Sequence, residues 1–400
     1  ITAVKQAPDA KFLLFTGDFV ETGTEQNSEW EWEQWFEVSM KPLLSRMALA
    51  PTDGNHDDTP NLNYTYHFNT DKTFNETATV KPQFDGITYS FVYGDALFMV
   101  YSHQDFWRGS YSYANGTSTY LSNDVANWFR DQVEKYPDTK WRIAAVHKNL
   151  FTGSGHQTDE DGALFRATLL PVFQELNIDF VIQGHDHIYE VMGPINNTTK
   201  TIVPGSVTNV ELVSPDSNKN PKGQQGGTFN VKDGTLYFVN GTCGRKRYYP
   251  YTQDEMEAGF DKHKVEGYWD LFTGKYGQPG APAFSEISVS SSEIEVNTYT
   301  SDANAQATLF DTFKIVKSGN TGIEENKQSA KLYPTYAKDK INTTESDIIQ
   351  VNAIDLTGKI YTLPFDNQHI DVSNLTDGIY VVQIFTNEKT RSERIVKTSR

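Results

Sequence analysis

The sequence predicts an α/β layered domain with a mixed sheet, followed by a small all-β sandwich. Three observations carry this. Short, nearly continuous apolar runs of buried-strand type (KFLLF at 11–15, RIAAV at 142–146, DFVI at 179–182) alternate with stretches of helical spacing. A period-2 stretch with a central Gly-Asp turn, GITYSFVYGDALFMVYS at 86–102, reads as an antiparallel hairpin, which makes the sheet mixed. The last 70 residues hold only short alternating strands with turn punctuation.

Taken in order, the chain opens in what reads as a helix-to-strand unit, without Met, and the residues preceding Ile1 are expected to be missing. EWEWEQWF places Trp32, Trp35 and Phe36 on one helical face, a core pattern. After the hairpin, Val125, Trp128, Phe129 and Val133 mark one helix, and Phe165, Leu169, Val172, Phe173 and Leu176 mark another. Residues 205–233 are polar and Gly-rich and read as a long surface loop. FSEISVSSSEIEVNTY (284–299) and TLFDTFKIV (308–316) are strands that close a first domain at residue 317. A polar linker spans 318–330, and residues 331–400 form the sandwich.

Composition narrows the function classes. Four hundred residues with 37% hydrophobic content support two or three domains with cores of their own. A formal net charge of −17 argues against nucleic acid or anionic membrane as partner and leaves any anionic substrate in need of local positive charge. The single cysteine, Cys243, excludes an internal disulfide and a thiolate-built metal site, so a metal must use His, Asn, Asp and Glu. No run of 18 apolar residues exists, so no membrane-spanning helix is expected.

Chemistry gathers at predicted strand ends. FLLFTGDFVE delivers Asp18, DGNHDD delivers Asn55, His56 and Asp57, RIAAVHKN delivers His147, and DFVIQGHDHIYE delivers His185 and His187. An isolated His-x-His is as readily a polar turn as a metal site; the companions decide. Asp bridges cations, Asn supplies a carbonyl oxygen, and imidazole suits zinc, iron or manganese. Two ions roughly 3.5–4 Å apart would clamp a phosphoryl group and activate a water.

The order GD, GNHD, VH, GHDH resembles the calcineurin-like metallophosphoesterase superfamily, and within it the purple acid phosphatase branch, over residues 1–317. The resemblance implies a four-layer α/β/β/α sandwich and acid phosphatase-like hydrolysis of a small phosphorylated substrate at two metal ions (Fe, Zn or Mn). It makes Asp18 the bridging carboxylate, assigns Asn55, His147 and His185 to the second metal and His187 to the first. His56 would face the scissile phosphate with Asp57 orienting its ring, and His156, nine residues after His147, would be a further substrate-binding imidazole. Two departures stand out. The family's first motif, Asp-x-His or Asp-x-Gly before GD, has no match, and the position of the colour-giving tyrosinate is Glu21, read as a ligand, a supporting group or a solvated carboxylate. A phosphodiesterase or nucleotidase, or a non-catalytic surface protein retaining the fold, are the competing readings.

Of the remaining histidines, His103 follows the strand ALFMVYS and reads as a packed or capping residue or as one lining the site, and His67, His263 and His369 have no partner pattern and read as surface residues. Arg245, Lys246 and Arg247 form a rare basic cluster, a solvated turn or a phosphate-steering group. The tail resembles the sorting domain of type IX secretion, with LYPTYAKDKI at its start, DLTGK midway and LTDGIYVVQI near its end, although Thr-Tyr stands where Asn-Pro is usual. That resemblance implies the type IX machinery as partner and a secreted or cell-surface location; a carbohydrate-binding or adhesive sandwich is the competitor.

Overall fold

The computed structural model describes residues 2–23, 27–57, 63–70, 87–102, 121–157, 159–197, 210–212, 226–232, 234–258, 272–317, 336–343, 347–355, 357–366, 369–386 and 390–399. The expected linker at 318–330, His103 and His263 lie outside them. The chain forms two compact units, Ile1–Ser318 and Gly319–Arg400.

In the first unit α1 (Thr2–Gln6) leads to β1 (Phe12–Phe15), and α2 (Glu29–Gln34) continues through a π-helical stretch (Trp35–Met40) and α3 (Lys41–Leu44) to β2 (Ala48–Pro51). Then come α4 (Asn63–His67), β3 (Tyr89–Tyr93), β4 (Ala96–Val100), α5 (Leu121–Lys135), β5 (Trp141–Ala145), α6 (Glu160–Glu175), β6 (Phe180–Gln183) and β7 (Tyr189–Asn197). The unit finishes with β8 (Val210–Leu212), β9 (Thr228–Asn230), β10 (Thr235–Asn240), α7 (Gln253–Ala258), β11 (Phe272–Gly277), β12 (Ala283–Val289), β13 (Glu293–Ser301) and β14 (Ala307–Val316).

The main sheet runs β11-β7-β10-β6-β5-β4-β3 with β8 on β7, and its centre is parallel: β4 with β5, β5 with β6, β6 with β10. The hairpin β3–β4 is antiparallel around the Gly94-Asp95 turn, so the sheet is mixed. A second sheet is ordered β12-β13-β14-β9, and β1 and β2 pair in parallel.

The pleat of β4 shows how the layers form. Leu97 and Met99 join Val125, Trp128 and Phe129 of α5 and Phe165, Leu169 and Phe173 of α6 in one core. Ala96 and Phe98 point the other way, into a core with Ile294 and Val296 of β13 and Phe313 and Ile315 of β14. Helices therefore cover one face of the main sheet and the second sheet covers the other, because a strand with apolar residues at every position needs a cover on both faces. Beside β1, Trp32 is fully buried with Phe19 and Tyr64, as the helical spacing predicts.

Two sequence expectations change. The 205–233 stretch is not all loop: β9 pairs in parallel with the end of β14, and Phe229 and Val231 are buried between the sheets. Its short Phe-x-Val alternation was masked by the Gly-rich, charged flanks. His67 is not a surface residue either, since its ring stacks on Trp32 at 4.6 Å and its Nε2 lies 3.2 Å from Glu29.

The second unit holds β15 (Tyr336–Ala337), β16 (Lys340–Asn342), β17 (Ile348–Asp355), β18 (Ile360–Thr362), β19 (His369–Asp371), β20 (Gly378–Thr386) and β21 (Thr390–Lys397). A sheet ordered β15-β21-β20-β17-β18 and the pair β16–β19 enclose a core of Ile341, Val351, Ala353, Val382, Ile384 and Ile395.

One buried ion pair joins the two sheets of the first unit. Lys275 Nζ on β11 donates to both Asp311 oxygens on β14 at 2.6 and 2.7 Å and to Thr312 O, while the Tyr189 hydroxyl on β7 donates to Asp311 Oδ2 at 2.7 Å. Both charges are almost wholly out of water. Removing one leaves the other uncompensated, so Lys275→Met is expected to destabilise the first unit by about 3–5 kcal/mol. Urea unfolding followed by tryptophan fluorescence measures this, and the Lys275→Met/Asp311→Leu double variant is expected to recover a large part of the loss.

Candidate metal centre

The site is assembled where parallel strands end. Asp18 follows β1 by three residues, Asn55, His56 and Asp57 follow β2, His147 follows β5, and His185 and His187 lie between β6 and β7. Two of these residues sit in left-handed backbone, Asp18 at φ 53° and His185 at φ 62°, a strained conformation that persists where surrounding contacts over-determine it. Gly54 packs against Asp18 so closely that a methyl group there would overlap Asp18 N and Oδ1. The glycine is a steric requirement of the carboxylate's position.

Four donors meet at His147. Its Nδ1 lies 2.6 Å from Thr16 O, a carbonyl that can only accept, so Nδ1 carries the proton and Nε2 of the neutral ring presents a lone pair. That Nε2 lies 3.0 Å from Asn55 Oδ1, 3.2 Å from His185 Nδ1 and 3.3 Å from Asp18 Oδ2. The Asp18, His147 and His185 ligand atoms all fall within 4.8 Å of one another. Oxygen and imidazole lone pairs aimed at one point suit a cation of the borderline class, and a ring fixed through its other nitrogen is how such ligands are held. Burial opposes the Asp18 charge, but His147 and His56 outweigh it and hold the carboxyl well below its usual range. Burial likewise opposes protonation of His147, and the Asp18 carboxylate overcomes it and raises the ring's pKa. A bound cation would take that proton's place.

His187 stands one step away from this cluster. Its Nδ1 donates to Lys246 O at 2.9 Å, leaving the Nε2 lone pair available to a cation, and its ring stacks on Tyr248 at 4.7 Å and 9°. Burial lowers its pKa, which favours the neutral, ligating form. Gln278 Nε2 pins the arrangement by donating to His187 O and Tyr248 O at 2.7 and 2.6 Å.

His56 is held differently from the expectation. Its Nδ1 donates to Glu21 O at 2.7 Å, and Asp57 does not orient the ring. The Asp57 carboxylate is fully buried and accepts the backbone N–H groups of Phe19, Val20 and Gly54 at 2.7, 3.2 and 2.7 Å. Burial and the Asp18 charge push its carboxyl up to about 7, and the N–H donors work against that rise. Glu31 continues the pattern by accepting Glu21 N and Thr22 N at 2.9 and 2.8 Å. Four successive N–H groups after Asp18 are thus received by two carboxylates. Asp57 organises the loop that carries Asp18; it is not a partner of His56.

His156 reaches the cluster from the loop before α6. Its ring lies 3.9 Å from that of His185, and its Nδ1 donates to Asp159 Oδ2 at 2.9 Å, an interaction that raises its pKa. Beneath it, Asp186 is buried, accepts the Thr152 hydroxyl and places Oδ1 3.9 Å from His156 Nε2. Sequence reading missed Asp159, Tyr248 and Gln278. Asp159 was visible as an acid three residues after a histidine and just before a helix, and Tyr248 as part of the YYPY run after the basic cluster; nothing local marks Gln278.

The packing of Gly54 supplies a test that leaves every donor residue unsubstituted. Gly54→Ala is expected to displace Asp18 and lose most of the bound metal while the protein stays folded; elemental analysis of the purified variant measures it. Full metal content in the variant would remove Asp18 from the ligand set.

Comparison with known proteins agrees with the geometry. Residues 1–189 match the calcineurin-like phosphoesterase family and residues 331–398 the secretion system C-terminal sorting domain. Two uncharacterized proteins of Mycobacterium tuberculosis are each 25% identical over 206 residues, 48% of this chain and 37% of theirs. Purple acid phosphatase 5 of Arabidopsis thaliana is 31% identical over 87 residues, 21% of this chain and 22% of its own. The chain therefore spans well under half the length of these relatives. Among solved structures, the purple acid phosphatase PPD1 of yellow lupin seeds superposes with a TM-score of 0.51 at 15% identity, covering 79% of this chain and 48% of that one, a likeness of fold. With its GD, GNHD, VH and GHDH motifs in order at strand ends, the first unit carries the calcineurin-like phosphoesterase match over residues 1–189, and the second carries a secretion sorting domain that marks the chain for export to the cell surface or beyond.

Proposed function

We propose that this chain is an exported phosphatase that hydrolyses phosphate monoesters at a pair of metal ions. The observation that carries the reading is the meeting of Asp18, Asn55, His147 and His185 lone pairs at one point, flanked by two imidazoles held for other work. Those four residues would hold one ion, and Asp18 with His187 would contribute to the second. When bound, the ions supply an activated water and neutralise the phosphoryl oxygens.

The chain's own residues do the rest. His56, fixed through Nδ1 by Glu21 O, keeps Nε2 for a phosphoryl oxygen beside the ion. His156 is suited to deliver the proton to the leaving oxygen, because Asp159 holds its Nδ1–H and raises its pKa, so that Nε2 bears a transferable proton over a wider range. The closeness of its ring to that of His185, 3.9 Å, keeps that proton next to the candidate ion-binding cluster. A protein retaining this fold for adhesion alone has no need of four oxygen and imidazole donors brought to one point. The sorting domain supports a site of action outside the cell, with the type IX machinery as partner.

Three outcomes test the reading. Chelation is expected to abolish hydrolysis of p-nitrophenyl phosphate, and zinc, iron or manganese to restore it. His56→Ala is expected to keep its metal while turnover falls about 10²–10⁴-fold; metal lost in step with activity would make His56 a ligand. Truncation after Val316 is expected to retain activity in vitro and abolish export, measured by fractionation, because the core described for the second unit is built from residues 337–395.

A further inference from the structure

A fifth strand delivers residues to the centre. β10 runs parallel to β6, with Leu236 opposite Phe180 and Val239 opposite Gln183, so its carboxyl end opens on the same side as the His185–His187 turn. The chain then passes through Arg245, Lys246 and Arg247. These three consecutive cations stand in a chain of net charge −17, and at least one of them is brought to the ligands.

The segment is anchored on both sides. Lys246 O accepts the His187 ring, Tyr248 stacks on that ring and lies 5.7 Å from the ring of His156, and Tyr251 N donates to Gly153 O at 2.8 Å. Ser154 donates to Tyr249 O at 3.1 Å, which ties the segment to the loop carrying His156. Arg247 turns back, its Nη1 donating to Arg245 O at 3.0 Å. Lys246 instead lays its Nζ over the ring of Tyr248, 5.6 Å from the centroid.

Building on the phosphomonoesterase reading, we propose that the Lys246 ammonium binds the phosphoryl group of the substrate and selects the doubly charged monoester over the singly charged diester. A phosphomonoester carries close to two negative charges at neutral pH, a diester one. An ammonium beside a partly desolvated phosphoryl group therefore gains more from the first. Tyr248 restricts the flexible lysine by offering its ring face to the ammonium, which lowers the ordering cost on binding. The Lys246 carbonyl supports His187 and its side chain serves the anion, so a side-chain substitution separates the two roles.

The test compares Lys246→Met and Lys246→Arg with the unaltered full chain. Metal content and thermal unfolding are expected to be unchanged in both. Titration calorimetry of inorganic phosphate into the metal-loaded protein is expected to show a loss of affinity of about 10–100-fold in the Met variant, with most of it retained in the Arg variant. The kcat/KM for p-nitrophenyl phosphate is expected to fall by the same factor, and that for bis(p-nitrophenyl) phosphate by less than about threefold. Unchanged phosphate affinity in Lys246→Met, an equal fall for both esters, or loss of metal would each overturn the proposal. If the unaltered protein cleaves neither ester, the phosphatase reading fails by itself, and the phosphate titration still decides whether Lys246 binds the anion.

Discussion

The hydrogen bond from His147 Nδ1 to Thr16 O is the contact on which the centre depends. It joins the ends of two strands from different sheets, β1 and β5, and it decides which imidazole nitrogen carries the proton. With the bond in place, His147 Nε2 faces three other electron-pair donors; turned over, the ring would offer them a hydrogen and no cation would be needed. The glycines around it serve this contact: a side chain on Gly17 would run into His147 Nδ1, and one on Gly184 into Thr16 O. The G in each of the GD and GH motifs is a consequence of how closely those strand ends must approach.

Much of this was legible from residues alone. Apolar runs with no polar alternation announced strands covered on both faces, and the pleat of β4, with Leu97 and Met99 on one side and Ala96 and Phe98 on the other, is what that pattern demands. The meeting of Asp18, Asn55, His147 and His185 was legible because all four follow strands, and a strand's end can be read from where its apolar run stops. What failed was orientation. Asp57 follows His56 directly, yet its carboxylate turns to the backbone of Phe19, Val20 and Gly54, since burial demands that a charge find several donors at once and three N–H groups outbid one ring. Phe229 was hidden for a different reason: a three-residue strand has too short a period to rise above glycine and lysine on either side. His67 needed Trp32 from another element to make it a packed residue.

The loop carrying Asp18 shows how a strained residue is kept in place. The N–H groups of residues 19 to 22 have no helix or strand to satisfy them, and Asp57 and Glu31 receive them in pairs. Glu31 is on α2, whose Trp32 is buried beside Phe19, so the aromatic packing next to β1 and the hydrogen bonding of the ligand loop are set by the same helix. Through Glu21 O that order extends to the ring of His56. The helix is outside the metal centre and still shapes its geometry.

All seven tryptophans lie between positions 30 and 269, and the tail core is built from aliphatic residues and Tyr380. Indole emission is therefore blind to the second unit, while far-ultraviolet dichroism and scanning calorimetry register both. Non-coincident transitions from these probes would ordinarily be read as a folding intermediate. In this chain they are what two separate cores produce, and each curve must be assigned to its own cooperative unit before a stability is taken from it.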